Sequence, residues 1–491
     1  MQRTSRRRLV VTALSSLVAW VVVSDSCQAT PNVLFISVDD LNDWVNCMGG
    51  RADVHTPHID RLAKRGVLFT NAHCSAPSCN PSRVSLMTGV SPSTSGVYHN
   101  GQDWRRSPAL TDAVTIPSYL RAHGYRAYGG GKIFHSLSWI VDGYGKQQNE
   151  GGIWDEYFPE ASKPLPESLW PEAVHARTGK SGYVNWTRLA GGKGIGKPPP
   201  HFFDWGPILK DESGMSDHQV VDWAVAKLAK EAGEPFFHAV GIYRPHIPWF
   251  VPKKYYDLYP PDKVFAPPVR EDDLEDVVPT HKKWLRRHWH RWVVENGEWD
   301  SAVRGYLASI SFADAQVGRL LDALDSGPHA DNTIIVLWSD HGMHLGEKEH
   351  WEKFTLWEES TRVPLIIVAP GVTVAGASCR QPVSLLDLFP TLNELCGVPP
   401  HEQIEGQSLV PLLRDPNAPR ARPAVTTWGQ NNHAVRDHRY RLIRMANGET
   451  ELYDHQEDPD EFTNIAELPE SAAVIARLAT FLPVVNASKV E

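Results

Sequence analysis

Short apolar runs rich in β-branched and aromatic residues alternate with stretches of helical periodicity along most of the chain. "NVLFISVDD" (32–40), "PFFHAVGIY" (235–243), "NTIIVLWSD" (332–340) and "PLIIVAP" (364–370) are continuous apolar runs, the pattern of strands buried on both faces. "TPHIDRLAKRG" (56–66) predicts a short helix with Thr56 as cap, Pro57 in the first turn and Gly66 as stop. "SDHQVVDWAVAKLAKEAG" (216–233) and "DSAVRGYLASISFADAQVGRLLDALDSG" (300–327) place apolar residues three and four apart, as amphipathic helices do. Such alternation predicts an α/β domain with a mostly parallel sheet flanked by helices, whose ligands bind at the carboxyl ends of the strands. Asp39, Asp40, Asp340 and His341 all follow such ends.

Beyond the helix-like "SLLDLFPTLNELCG" (384–397) the pattern changes. "HAVRDHRYRLIRM" and "ETELYDHQEDPDE" alternate polar and apolar residues between turn signals, which predicts antiparallel strands in a smaller C-terminal domain over 398–491. The larger domain then occupies 30–397. Residues 140–215 and 262–300 carry much Pro, Gly and Trp with weak periodicity and read as long insertions around a site. Within the second, "HKKWLRRHWHRWVVENGEW" (281–299) sets Trp284, Trp289 and Trp292 among basic residues. Two readings stay open for it: a solvated helix with its apolar edge on the core, or a rim whose Trp faces and Arg side chains meet an anionic sugar polymer.

The first 29 residues have a basic start (Arg3, Arg6, Arg7, Arg8), an apolar run from Leu9 to Val23 and a small-residue end near Ala29. This predicts an export signal, and hence a periplasmic or secreted protein with no stable membrane span once the signal is removed, since the run falls short of the roughly 20 residues a spanning helix needs. Removing 1–29 takes away four Arg and one Asp and moves the formal charge from −9 to about −12. A surface of that sign excludes nucleic acid as a partner. Cys47, Cys74, Cys79, Cys379 and Cys396 would remain, an odd number, with Cys79 the candidate for the unpaired one.

Cys79 stands in "CNPSRVSLMTG", two residues before Pro81 and four before Arg83. If this stretch opens a helix, Cys79 and Arg83 share a face one turn apart. Together with the "SVDDL" strand end, "GGGKIFH", "YRPHIPW", "SDHGMHLGE", "WEKFTLWEESTRVPL" and "ELYDHQEDPDE", it resembles the type I formylglycine-dependent sulfatases, and among them the iduronate-2-sulfatase group. That resemblance implies an alkaline-phosphatase-like large domain, and a formylglycine made from Cys79 by a formylglycine-generating maturation enzyme. It further implies hydrolysis of sulfate esters on carbohydrates, with a sulfated uronic acid as the first-choice substrate.

The resemblance also distributes roles. Asp39, Asp40, Asp340 and His341 would hold one divalent cation, calcium by the oxygen-rich set, with His341 standing where many sulfatases have Asn. Three carboxylates in one dry site are expected to demand such a cation. Arg83 would hold the hydrated aldehyde. Lys132 and Lys353 would grip sulfate oxygens, His135 would take a proton from the second hydroxyl, and His246, with Lys353, would assist the leaving oxygen. His344 adds a histidine beside the metal motif, and Tyr98, His99 and Asn100 are placed to reach the sugar. Two alternatives remain: a phosphonate or phosphodiester hydrolase of the same superfamily, and a glycan-binding protein without catalysis, which would be expected to have lost the cysteine or a metal ligand.

Overall fold

The computed structural model describes residues 29–135, 152–159, 203–208 and 211–491. The expected export signal, apart from Ala29, and most of the expected 140–215 insertion lie outside the described residues. Among the described residues no helix is long and apolar enough to cross a membrane.

The apolar runs form the strands of a nine-stranded sheet: β1 (Asn32–Val38), β2 (Val67–His73), β3 (Arg126–Gly131), β4 (Glu156–Phe158), β5 (Phe236–Ile242), β6 (Thr333–Ser339), β7 (Arg362–Val368), β8 (Ala377–Cys379) and β9 (Val383–Ser384). The order across it is β8-β2-β7-β6-β1-β5-β3-β4, with β9 also on β2. Every residue of β1, β5 and β6 is buried, as expected of central strands covered on both faces. All pairings are parallel except those of β7, which runs antiparallel to β6 and β2.

Register aligns the strand ends. Val38 lies level with Ile242 of β5 and Ser339 of β6, so Asp39, Tyr243 and Asp340 leave the sheet side by side. Gly131 of β3 lies level with Gly241 of β5, which brings Lys132 out at the same edge. The two backbones approach so closely here that a Cβ on Gly131, whose φ is +74°, would sit 2.0 Å from the Gly241 carbonyl oxygen; only glycine fits. Because β7 is reversed, residues 341–361 must turn back at this same edge, and they carry Lys353 to it.

Flanking helices include α1 (Pro57–Ala63), α2 (Cys79–Thr88), α3 (Ser216–Leu228), α4 (Arg287–Glu295) and the 27-residue α5 (Trp299–Asp325). Helix α1 forms where its pattern predicts, but Thr56 does not cap it: the Thr56 hydroxyl accepts from Asn46 N, and the Asp314 carboxylate of α5 accepts from the first-turn amides of His58 and Ile59. In α4, Trp289 and Trp292 are buried in the main core, with Arg287, His288 and Arg291 exposed. For α4 the first reading therefore holds, and the faces of Trp289 and Trp292 are not available to a sugar polymer; Trp284 and Arg286, before the helix, are half-buried.

The C-terminal strands β10 (Ala424–Thr427), β11 (His433–Arg436), β12 (Tyr440–Arg444) and β13 (Thr450–Asp454) form an antiparallel sheet in chain order. Its side chains alternate faces. Val435, Leu442 and Leu452 pack on Leu478 of helix α6 (Ser471–Ala479), while Ala434, Ile443 and Tyr453 pack on Leu356 and Trp357 of the loop that follows Lys353. The small sheet is thus a support for that loop: Arg441 donates to the Leu356 carbonyl at 3.0 Å, and Trp357 Nε1 donates to Glu451 at 3.1 Å. Its first strand also holds the lead-in to α2, with Thr427 N donating to the Ser75 carbonyl and the Thr426 hydroxyl to that of Cys74.

Candidate active site

Cys79 is the first residue of α2 and fully buried at the sheet edge where β1, β3, β5 and β6 end. Its Sγ lies 3.2 Å from His341 Nε2 and 3.6 Å from Lys132 Nζ. Burial raises a thiol's pKa, but Lys132 and Lys353 outweigh it here and hold Cys79 below the ordinary thiol value. The other four described cysteines are free thiols, so no disulfide pairing arises among the described residues.

Each of the three carboxylates has a cationic side chain of the protein against it. Lys132 Nζ contacts Asp39, and Lys353 Nζ donates to both oxygens of Asp40, at 2.8 and 2.6 Å. Arg83 spans the other pair, its Nη2 2.8 Å from Asp39 Oδ1 and its Nε 2.8 Å from Asp340 Oδ2. The expected mutual repulsion is therefore answered first from within the chain. Burial works against an ionised Asp39, but Lys132 and Arg83 hold its carboxyl well below the usual range; burial pushes Asp40 up to about 7 despite Lys353 and His341.

Arg83 lies one turn along α2 from Cys79, as its spacing predicts. Its Nη1 donates to Ser37 Oγ and to the carbonyls of Lys132 and Ile133 at 3.1, 2.7 and 2.9 Å, so its donors serve the groups around the nucleophile. Asp40 has a positive φ of 61°, rare for a residue with a side chain; its amide donates to Asp340 Oδ1 at 3.1 Å, which locks the two metal-side carboxylates together.

His341 supplies a fit test for a metal ion. A carbonyl only accepts, so the 3.0 Å contact from its Nδ1 to the Gly342 carbonyl places the proton there and turns the Nε2 lone pair toward Asp40 and Asp340, 3.4 and 3.5 Å away. Ligand atoms of Asp40, Cys79, Asp340 and His341 all fall within 4.8 Å of one another, and those of Asp39, Asp40 and His246 do likewise. Two carboxylates and one imidazole, the first of these sets without its thiol, suit one divalent cation; Asp39 meets Asp40 and His246 in the second set and does not join Asp340 and His341 in the first. Burial lowers the His341 pKa, but Asp340, Cys79 and Asp40 outweigh it and raise the ring to about 9, so these groups draw a positive charge to Nε2, which a proton or a metal ion would supply.

His246 Nδ1 lies 2.6 Å from the Ile247 carbonyl and 2.8 Å from the Tyr243 hydroxyl, which leaves Nε2 facing the site, 3.9 Å from Asp40. Burial, with Lys353 and Lys132 nearby, keeps the ring well below the usual histidine range. His135 stands at the edge of the described segment; its Nδ1 is buried without a partner among the described residues, and burial with Lys132 keeps it neutral as well.

Three neighbours differ from their sequence-based placing, and a fourth had none. Asn100 does not point to a sugar: its Oδ1 accepts from Asn80 N at 2.9 Å and from the Ser78 hydroxyl at 2.7 Å, fastening the start of α2. Tyr98 is buried and donates to the Ala487 carbonyl. His344 bonds Thr355 Oγ1 at 2.9 Å and belongs to neither ligand cluster of the site. Tyr243 was overlooked. It holds His246 and lies under Lys132, whose Nζ is 5.2 Å from the ring centre, and its position three residues before His246 was the available signal.

The family profile described as Sulfatase matches residues 31–398. The chain belongs to the sulfatase family. A second profile, N-sulphoglucosamine sulphohydrolase, C-terminal, matches residues 346–487, which takes in the four-stranded sheet. A protein named Sulfatase from Formosa agariphila is 38% identical over 93% of this chain and 87% of its own length. Human iduronate 2-sulfatase is 32% identical over 75% of this chain and 70% of its own, and a choline-sulfatase of Rhizobium meliloti is 29% identical over 92% and 85%. Among solved structures, the phosphonate monoester hydrolase of Agrobacterium radiobacter superposes with a TM-score of 0.71 at 24% identity, covering 92% of this sulfatase and 94% of that chain. A 2-O GAG sulfatase superposes at 0.66 and 22% identity, covering 92% and 91%. These likenesses establish the alkaline-phosphatase-like fold that the site is built on.

Proposed function

We propose that this sulfatase hydrolyses sulfate monoesters of carbohydrates through a formylglycine derived from Cys79, and that its substrate is a sulfated uronic acid unit. The observation that carries this reading is the placing of Cys79 at the first turn of α2, its Sγ within reach of His341 and Lys132 and clustered with the carboxylates of Asp40 and Asp340. The sulfur stands where an oxygen of the hydrated aldehyde would stand. As its hydrate, formylglycine offers two hydroxyls on one carbon, one to attack sulfur and one whose deprotonation expels sulfate.

Asp39, Asp40, Asp340 and His341 would hold one divalent cation, calcium by the chemistry of the set, which would draw negative charge toward the nucleophile and the sulfate oxygens. Lys132 and Lys353, both almost fully buried, present their charge to those same oxygens in a site that excludes water, where a fixed charge acts most strongly. Burial depresses His246 most, and an anion bound between the two lysines offsets their added effect. The ring can then take up a proton and pass it to the leaving sugar oxygen, and Tyr243 keeps it aimed. His135, held neutral, accepts a proton when sulfate is expelled. Arg83 would hold the hydrated aldehyde, and its contacts fix Asp39, Asp340 and the Lys132 backbone around that position. The uronic acid reading draws support from the iduronate 2-sulfatase relatives and the residues shared with that group. The basic, apolar and small-residue order of residues 1–29 supports export.

The test pairs a peptide-mass measurement at Cys79 with release of anion from matched substrates: a 2-O-sulfated uronic acid, a 6-O-sulfated hexosamine, a sulfated fucose, an aryl sulfate, choline sulfate and an aryl phosphonate monoester. Cys79→Ala should abolish sulfate release while thermal unfolding stays close to wild type. More than trace activity in that variant would falsify the covalent route. Neutral sulfated sugars turned over with much higher kcat/KM than the uronic acid would reassign the sugar, and a preference for the phosphonate would reassign the reaction.

A further inference from the structure

Immediately outside Lys353 the chain is bent by positive φ angles at four non-glycine residues, Lys348, Glu349, Glu352 and Phe354, a concentration of strain that the surroundings must impose. One clamp is visible. Arg286, just before α4, donates its amide to His350 Nδ1 at 3.0 Å, and His350 Nε2 donates to the Lys353 carbonyl at 2.7 Å. Neutral His350 thereby ties the backbone of Arg286 to that of the sulfate-gripping lysine.

The Arg286 side chain follows the same loop. Its guanidinium carbon lies 4.3 Å from the ring centre of buried Trp289 and 5.2 Å from that of half-buried Phe354, and its Nε is 2.8 Å from Glu352 Oε2. Among the described residues no other acid pairs with it, and the side chain is 29% exposed against 2% for Lys353. Phe354 continues into an aromatic rim, 5.2 Å from Trp428 of the C-terminal region, which meets His99 edge-on at 4.8 Å. The rim stays close to the nucleophile: Phe354 N donates to the Pro77 carbonyl and the His99 carbonyl accepts from Asn80 Nδ2. Phe354, Trp428 and His99 are all partly exposed.

We infer that Arg286 is a specificity residue which binds a second anionic group on the sugar, the uronic carboxylate, while Phe354 and Trp428 face the sugar ring. This rests on the sulfated uronic acid reading above and adds the residue that distinguishes such a sugar from a neutral one. A guanidinium already held 4.3 Å from an aromatic ring centre has little further freedom to lose on binding, and its planar fork matches a carboxylate or a sulfate better than lysine does. Glu352 balances its charge between turnovers through Nε.

The experiment compares kcat/KM for three substrates sharing one scissile 2-O-sulfate: the uronic acid, its carboxyl-reduced hexose analogue, and a hexose carrying a second sulfate. Wild type, Arg286→Gln and Arg286→Lys are assayed on each. Wild type should favour the uronic acid over the reduced sugar by about tenfold or more, the worth of one charge-assisted hydrogen bond. Arg286→Gln should erase that ratio mainly through KM, and Arg286→Lys should restore only part of it. A ratio unchanged in Arg286→Gln overturns the inference, as does an equal loss on all three substrates, which a merely structural role through Glu352 and Lys353 would give. An Arg286-dependent preference for the disulfated sugar keeps the anion site and changes its ligand to sulfate. Wild type without activity on any sulfated sugar would overturn the proposed substrate class and this inference together, whereas a wild-type preference insensitive to Arg286 overturns this inference alone.

Discussion

Arg83→Met should be the most damaging single substitution at the site short of the nucleophile. The methionine stem fills much of the volume, so the loss is electrostatic. Arg83 is wholly buried and holds Asp39 and Asp340, both also at 0% exposure, in two contacts of 2.8 Å. Removing one partner of a buried ion pair costs about 3–5 kcal/mol, because the other charge is left without compensation. The carbonyls of Lys132 and Ile133 lose a donor as well, at about 1 kcal/mol each. Part of this is recovered because a carboxylate without its cation takes up a proton instead of staying charged. A net loss of about 4–6 kcal/mol at pH 7 follows. The assay is urea unfolding followed by tryptophan fluorescence, with added calcium and with chelator. Wild type balances its carboxylates from within, so chelation should shift its midpoint modestly. In the variant two carboxylates face each other with no guanidinium, so calcium should recover a much larger share of the stability. A variant within 1 kcal/mol of wild type, or an equal effect of chelation on both proteins, would refute the account of Arg83 as the residue that makes the carboxylate cluster tolerable.

Two further outcomes are expected. Asn100→Ala should remove the acceptor for Asn80 N and the Ser78 hydroxyl, destabilise the start of α2 by about 1 kcal/mol, and lower kcat more than KM because Cys79 loses its fixed position; steady-state kinetics with unchanged kcat would count against the fastening role. Acid should unfold the protein steeply: burial keeps His238 and His350 near pKa 3 and His433 near 4, below their unfolded value of 6.5, so the unfolded chain binds more protons and stability present above pH 6.5 is lost as pH falls toward 4, at about 4 kcal/mol per pH unit for the three together. His238→Phe should flatten that slope by about a third, and an unchanged slope in a pH series of urea midpoints would contradict it.

Residues whose chemistry depends on neighbours in the chain were legible from the sequence. Continuous apolar runs gave β1, β5 and β6 because a strand buried on both faces has no polar face to alternate with, and the acids after them fell at the sheet edge because parallel strands end on one side. The direction of β7 was not legible. "PLIIVAP" reads alike for either orientation, yet its reversal is what returns the 341–361 loop to the edge that needs Lys353. Nor was the work of Arg83 and Asn100 visible, since each is defined by partners distant in sequence: Arg83 by acids 44 and 257 residues away, Asn100 by the first turn of α2. Arg286 carried a signal only as one cation in a basic stretch. Which cations of such a stretch face solvent and which lean on a catalytic loop is decided by tertiary packing of the buried tryptophans beside them.

The balance of charge in the site bears on the kind of ester it accepts. Asp39, Asp40 and Asp340 are matched by Lys132, Lys353 and Arg83, so with the nucleophile protonated and His341 neutral, as a metal ligand has to be, the protein's own groups sum to zero. One divalent cation would then leave two positive charges. A sulfate monoester brings one negative charge and an ionised nucleophile a second, which closes the balance; a phosphate monoester dianion would overshoot it by one in a buried site where an uncompensated charge is costly. A phosphonate monoester, like a sulfate monoester, carries a single negative charge. The central charge balance therefore does not by itself distinguish these two esters. What would separate the two chemistries in this chain then lies beyond the central charge balance, and the lip proposed above, with Arg286, Phe354 and Trp428, is where the leaving group would be read.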